Sequence, residues 1–268
     1  MESHPEFYAA RALLEWQVEL GATEAICDTP INRFELPEAQ PKAAAASGAI
    51  APAELPKGPQ PAAALAVDAV AVARAAAQSS GDLAALSEAM AAFDFCELKR
   101  GAKTTVFADG SPDARIMIIG EAPGRDEDSQ GKPFVGRAGQ LLDRMFAAIG
   151  LSRSAPDPEA SIYITNIMPW RPPQNREPSP EEVAMMMPFV ARHVELAQPD
   201  FIVLMGNTPC QALLGRKGIT RMRGNWTTAL NKPALPMFHP AYLLRNPQAK
   251  REAWHDLLML QARLRGGS

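Results

Sequence analysis

The side chains best suited to chemistry in this 268-residue chain stand just beyond short apolar runs: acids after "MIIG", Asn166 after "SIYIT" and His239 after "ALPMF", with the aromatic Phe134 a few residues past the acids. The stretch "MIIGEAPGRDED", residues 117–128, looks like a strand running into a phosphate-binding loop. A phosphate cradle, however, needs backbone N–H groups and a Lys. This turn carries Glu121, Asp126, Glu127 and Asp128 instead, and those charges would repel a phosphate. Such a turn is better suited to hold one or two carboxylates near a centre where positive charge develops. A carboxamide reads an amide-like edge, an aromatic ring stacks on a planar one, and an imidazole can hydrogen-bond a departing oxyanion.

These groups need elements to bring them together. From residue 93 onward, short apolar runs alternate with helical patterns: "ARIMIIG", a helix over 138–149, "SIYITN", a helix over 180–196, "DFIVLMG", a helix over 209–214, "ALPMFHP" and a last helix over 248–264. That alternation predicts an α/β fold with a parallel sheet covered by helices on both faces. Ligands of such sheets bind beyond the carboxyl ends of the strands. The residues at those ends are Gly120 and Glu121, Asn166, Gly206 and Asn207, and His239. Ahead of this part, residues 1–36 form an N-terminal segment with helical spacing over 6–20, residues 37–61 read as a Pro/Ala-rich linker, and residues 62–92 as one or two Ala-rich helices.

Composition narrows the class. Hydrophobic residues make up 47% of the chain, enough for a sizeable core, and even the Ala/Val-rich run over 62–77 is interrupted by Asp68 and Arg74, so no membrane span is expected. The opening "MESHPEFYAA" has an acid and a Pro where a secretory signal has basic charge, and a cytoplasmic, nucleoid-associated protein is expected. The three cysteines, at 27, 96 and 210, are too far apart in sequence to read as a zinc motif. The formal net charge of −3 conceals an asymmetry: from Gly215 onward ten Lys or Arg face two acids, leaving the rest of the chain strongly acidic. A basic end on an acidic protein suggests a surface for a polyanion, although a solvated helix face would look the same.

"GEAPGRDEDSQGKPFVGRAGQLLDRM", "YITNIMPWRPPQNR" and "MFHPAYLLRNP" resemble the three signature regions of the uracil-DNA glycosylase superfamily, above all its bacterial and archaeal family 4. The resemblance runs over about residues 93–264, and ordered motifs at similar spacing are more specific than any single glycine pattern. It implies a three-layer α/β/α sandwich around a four-stranded parallel sheet in a catalytic domain over 93–268. It also implies a monofunctional enzyme that flips uracil out of DNA and hydrolyses its N-glycosidic bond, leaving an abasic site for base excision repair.

Residue by residue, the resemblance implies that Glu127 is the catalytic carboxylate, assisting water or stabilising an oxocarbenium-like sugar. His239 would hold uracil O2 as negative charge builds there. Phe134 would stack on the extruded base, Asn166 would bond its N3–H and O4 edge, and Glu121 and Ala122 would line the uracil pocket. Leu243, Leu244 and Arg245 would enter the duplex, with Arg176 also on the DNA surface. Taken singly, Asn166 reads as a helix cap and His239 as a satisfied buried histidine; the shared motif context favours chemistry for both. Asp126 and Asp128 are expected to cap or solvate the turn.

The sequence departs from family 4 at one feature. Members carry four cysteines that bind a [4Fe–4S] cluster, and the corresponding positions here are Phe93, Cys96, Trp170 and Met186. No cofactor is therefore expected, with the cluster's place taken by packing. A second reading is a protein that binds uracil-containing DNA with little turnover, but the basic insertion with a second His that marks covalently trapping relatives is missing after "NIMPWRPP". A monomer is expected, with the N-terminal segment available to a repair or replication protein.

Overall fold

The computed structural model describes residues 68–266. The expected N-terminal segment over 1–36 and linker over 37–61 lie outside the described residues. The Ala-rich stretch forms two helices, α1 (Ala69–Ser79) and α2 (Leu83–Ala92). Each begins at an aspartate whose side chain accepts backbone N–H bonds, Asp68 from Val70 and Ala71, and Asp82 from Ala85. Both pack on α6 (Pro180–Ala197), where the Arg192 guanidinium donates to the Ser80 carbonyl at 2.8 and 3.1 Å. Ala73, Ala77, Leu86 and Met90 thereby join the main core. Helices α1 and α2, which precede the boundary expected at residue 93, thus share that core.

The sheet has six strands in the order β1-β3-β2-β4-β6-β5. The four apolar runs supply its centre, β2 (Ile116–Gly120), β3 (Tyr163–Asn166), β4 (Phe201–Met205) and β6 (Lys232–Met237), all mutually parallel. The expected four-stranded sheet is thus extended by β1 (Ala108–Gly110) and β5 (Thr227–Ala229), each antiparallel at an edge. Three-residue strands carry too little alternation to stand out in a sequence, and their pairing depends on the strand beside them. Every residue of β2 and β3 is buried, as expected of parallel strands covered on both faces.

The connecting helices are α3 (Leu98–Gly101), α4 (Arg125–Gln130), α5 (Arg137–Ala147), α6, α7 (Asn207–Leu214), α8 (Ile219–Met222), α9 (Pro240–Arg245) and α10 (Lys250–Leu264). Three of them, α4, α7 and α9, open within a few residues of the ends of β2, β4 and β6, so strand ends and helix starts gather at one edge of the sheet, while α6 follows β3 after a longer loop. Among the described residues no helix is long and apolar enough to cross a membrane.

Candidate active site

The acidic turn after β2 divides its charges by task. Glu127 lies in the first turn of α4, and its Oε2 accepts the Gly124 N–H at 3.1 Å. Its Oε1 accepts the N–H groups of Val135 and Gly136, at 3.0 and 2.9 Å, where the chain enters α5. One carboxylate therefore closes the loop over 124–136 and serves two helix starts, where backbone N–H groups would otherwise lack partners. Asp128 is buried and accepts from Lys103 N and Thr104 N, tying α4 to the preceding loop, whereas Asp126 is exposed. Glu121 takes the Thr208 hydroxyl at 2.6 Å, linking the end of β2 to the first turn of α7.

Asn166 ends β3 and is the register partner of Gly120. Its side-chain oxygen is buried without a hydrogen-bond partner, and the residue is 6% exposed. Buried polar atoms are normally paired, so an orphaned acceptor at a cavity is a place for a ligand's N–H. Phe134 lies alongside, with its backbone at φ 52° and its ring centroid 5.4 Å from that of His239, tilted by 31°.

His239 follows β6 as the N-cap of α9, where its Nδ1 accepts the Ala241 N–H at 3.1 Å. That bond assigns the proton of the neutral ring to Nε2. Burial, helped by the positive charge of Arg245, pushes the His239 pKa down to about 4. The imidazole is thus a neutral donor at physiological pH.

Glu121, Glu127, Phe134, Asn166 and His239 line one cavity of about 510 Å³, together with Ala122 and Arg176. Of the residues expected to meet DNA, Arg245 also lines it and is exposed. Arg176 is half-exposed and held by Glu182 in a two-pronged ion pair at 2.6 and 2.8 Å. Leu243 requires a correction. It is 1% exposed and belongs to the core, because the turn of α9 that leaves Arg245 exposed and Leu244 partly buried turns Leu243 inward. It is not available to enter a duplex.

Gly120, expected only as a strand end, and two residues given no role from the sequence, Gly139 and Thr208, also bear on the site. A Cβ on Gly120 would lie 2.4 Å from Asn166 Oδ1 and 2.5 Å from Phe134 Cε2, so only glycine leaves room for both. A Cβ on Gly139 would lie 1.7 Å from the Phe134 carbonyl oxygen. Both glycines stand within the quoted motifs, so the motifs contained the signal, but Thr208 had none.

A family model described as "Uracil DNA glycosylase superfamily" matches residues 107–258, the span that holds all these cavity residues. The chain belongs to that superfamily. Within the superfamily, a type-4 uracil-DNA glycosylase of Thermotoga maritima is 42% identical over 154 residues, covering 56% of this chain and 77% of that protein. A type-4 uracil-DNA glycosylase of Archaeoglobus fulgidus is 38% identical over 172 residues, covering 60% and 82%. A type-5 uracil-DNA glycosylase of Thermus thermophilus is 31% identical over a shorter 121 residues, 42% of this chain.

An iron–sulfur cluster, which the resemblance to family 4 implies, does not fit the uracil DNA glycosylase scaffold as this chain builds it. Phe93, Cys96, Trp170 and Met186 are all buried, and Cys96 is the one thiol among them. Phe93 packs edge-on against Phe189 at 5.5 Å, and the Trp170 indole N–H donates to Thr105 Oγ1 at 3.0 Å. Burial raises the Cys96 pKa, which favours the thiol over the thiolate that iron requires.

Proposed function

We propose that this protein hydrolyses the N-glycosidic bond of uracil in DNA, with the cavity at the strand ends receiving the extruded base. The observation that carries the reading is the buried, unpartnered Oδ1 of Asn166 beside Phe134. Uracil offers an N–H at N3 and a carbonyl at O4, which match the acceptor and donor of one carboxamide. Cytosine offers an acceptor at N3 and an amine at C4, and would leave those groups mismatched and buried.

In this reading Phe134 stacks on the base and Asn166 fixes its edge. The C1′–N1 bond breaks with its electron pair passing to uracil, where O2 gains negative charge. The neutral His239 donates its Nε2 proton in a hydrogen bond to O2, and a donor placed where charge develops lowers the barrier. The sugar becomes cationic at C1′. Glu127 serves there as a fixed negative charge, since its two oxygens already accept three backbone bonds. Water then adds to C1′, and the proton it releases neutralises the uracil anion, leaving an abasic site and free uracil. Among the described residues no lysine lines the cavity, so a Schiff-base route with strand cleavage is not expected.

DNA contact falls to Arg245 and Leu244, with Arg176 at the cavity rim, and the chemistry runs without a cluster. The decisive experiment is release of uracil from a uracil-containing oligonucleotide by the parent and by Asn166→Asp, whose carboxylate cannot donate to O4. The variant is expected to lose about 10²- to 10³-fold in rate. Equal release by both would overturn the site, and tight binding with no release by the parent would favour the binding-only reading.

A further inference from the structure

Phe134 has a backbone conformation that side-chain-bearing residues rarely adopt, with φ at 52°. Something must hold it there. Arg153, in the loop between α5 and β3, donates from Nη1 to the Pro133 carbonyl at 2.9 Å and from Nη2 to the Phe134 carbonyl at 2.8 Å. Its fork is aimed in turn by two acids, through Nη1 to Asp109 at 3.0 Å and Nε to Asp143 at 2.9 Å. On the other side of the same peptide unit, the Val135 N–H donates to Glu127 at 3.0 Å. The Phe134–Val135 peptide is thus gripped by a cation at its oxygen and an anion at its N–H, in the sense its dipole favours.

We infer that Arg153 is a positioning residue for base excision, acting through the backbone of Phe134. The inference rests on the reading of Phe134 as the ring that stacks on the base. Arg153 is not among the residues lining the cavity, so it has no direct route to the substrate there. Its side chain is 14% exposed and its donors are spent on two consecutive carbonyls and two carboxylates. A planar fork that meets two carbonyls at once fixes an orientation, which a single ammonium cannot do. Loss of the fork frees Phe134 to relax toward negative φ, and the ring swings away from its place over Gly120 and beside His239.

The test is a double-mutant cycle on the single-turnover rate of uracil release, with thermal midpoints measured alongside. Arg153→Ala is expected to slow release by about 10- to 100-fold, the scale on which small misplacements act. Phe134→Ala should also slow it. Once the ring is absent, Arg153 has nothing left to place, so the double variant should lie within about three-fold of Phe134→Ala. Multiplied losses in the double variant would show that Arg153 supports the fold generally and would overturn the inference. A Phe134→Ala variant at the parental rate would remove the stacking role itself, and the inference with it. Should Arg153→Ala fail to fold, Arg153→Lys takes its place in the same cycle: it retains a charge for Asp109 and Asp143 without the fork, and the same outcomes apply.

Discussion

Gly120 and Asn166 face each other across the last rung of the β2–β3 ladder, and the side-chain oxygen of Asn166 lies 2.4 Å from where a Cβ on Gly120 would be. The space a glycine leaves is filled by the amide proposed to read the base. Phe134 shares it, with Cε2 and Cζ 2.5 and 2.6 Å from the same point. Gly120→Ala should therefore displace two recognition groups with one methyl. Strain from such overpacking is about 1–3 kcal/mol, so the protein should still fold. Uracil release should nonetheless fall by about 10²-fold. Parental activity in Gly120→Ala would mean that neither Asn166 nor Phe134 needs its present place.

The acid limb of stability should reflect two histidines whose charged forms the fold disfavours. His239 is held at about 4 and His193, buried beside Tyr163 and Phe107, at about 3, both by burial. These values lie below the 6.5 of an unfolded chain, so the unfolded state takes up protons first as pH drops. The stability they contribute is complete above about pH 6.5 and is lost progressively as pH falls through 4 toward 3. Thermal midpoints recorded across that range should decline, and His239→Gln with His193→Gln should flatten the decline. Because the His239 donor is neutral, uracil release should show no titration of it between pH 8 and 5. A loss of activity at about pH 6.5 that disappears in His239→Gln would contradict this.

The α9 turn separates a packing role from a DNA role in adjacent residues. Leu243→Ala opens a cavity in the core and should cost about 2–5 kcal/mol of stability. Arg245→Ala should leave the thermal midpoint nearly unchanged, Leu244→Ala, which trims a side chain partly buried against the core, should lower it less than Leu243→Ala, and both should weaken excision from duplex DNA. If Arg245 meets a phosphate, removing it should also reduce the slope of log affinity against log salt by about one unit. Denaturation and binding titrations at several salt concentrations separate the three, and an excision defect confined to Leu243→Ala would reverse the assignment.

Trp170, at a position where the resemblance to family 4 implies a cluster ligand, is fully packed, with its N–H bonded to Thr105. Truncating a buried Trp to Ala costs about 3–5 kcal/mol, so Trp170→Ala should be markedly destabilised and should loosen the adjoining "RPPQNR" segment. Purified protein should contain no stoichiometric iron and should retain activity in chelator. Iron bound one cluster per chain, or a Trp170→Ala variant as stable as the parent, would show that packing does not replace the cluster.

The sequence by itself determined the alternation of apolar runs and helices, and with it the parallel centre of the sheet and the strand ends where Glu121, Asn166 and His239 meet. Those features are local: a strand's period, a helix's period and the residue that follows each are all written within about fifteen positions. The motifs around them also held Gly120 and Gly139, whose lack of a side chain makes sense only beside Phe134. Contacts between distant segments were decided by the tertiary structure alone. It gave Glu127 three backbone bonds, paired Thr208 with Glu121 and laid Arg153 on Phe134. It added β1 and β5 to the sheet edges, drew α1 and α2 into the core and turned Leu243 inward. An acid in a turn has the same letter whether it faces water, a sugar or two helix starts, and a leucine in a short helix has the same letter inward or outward. Which partner it meets is fixed when segments far apart in the chain compete for the same space and the same hydrogen bonds.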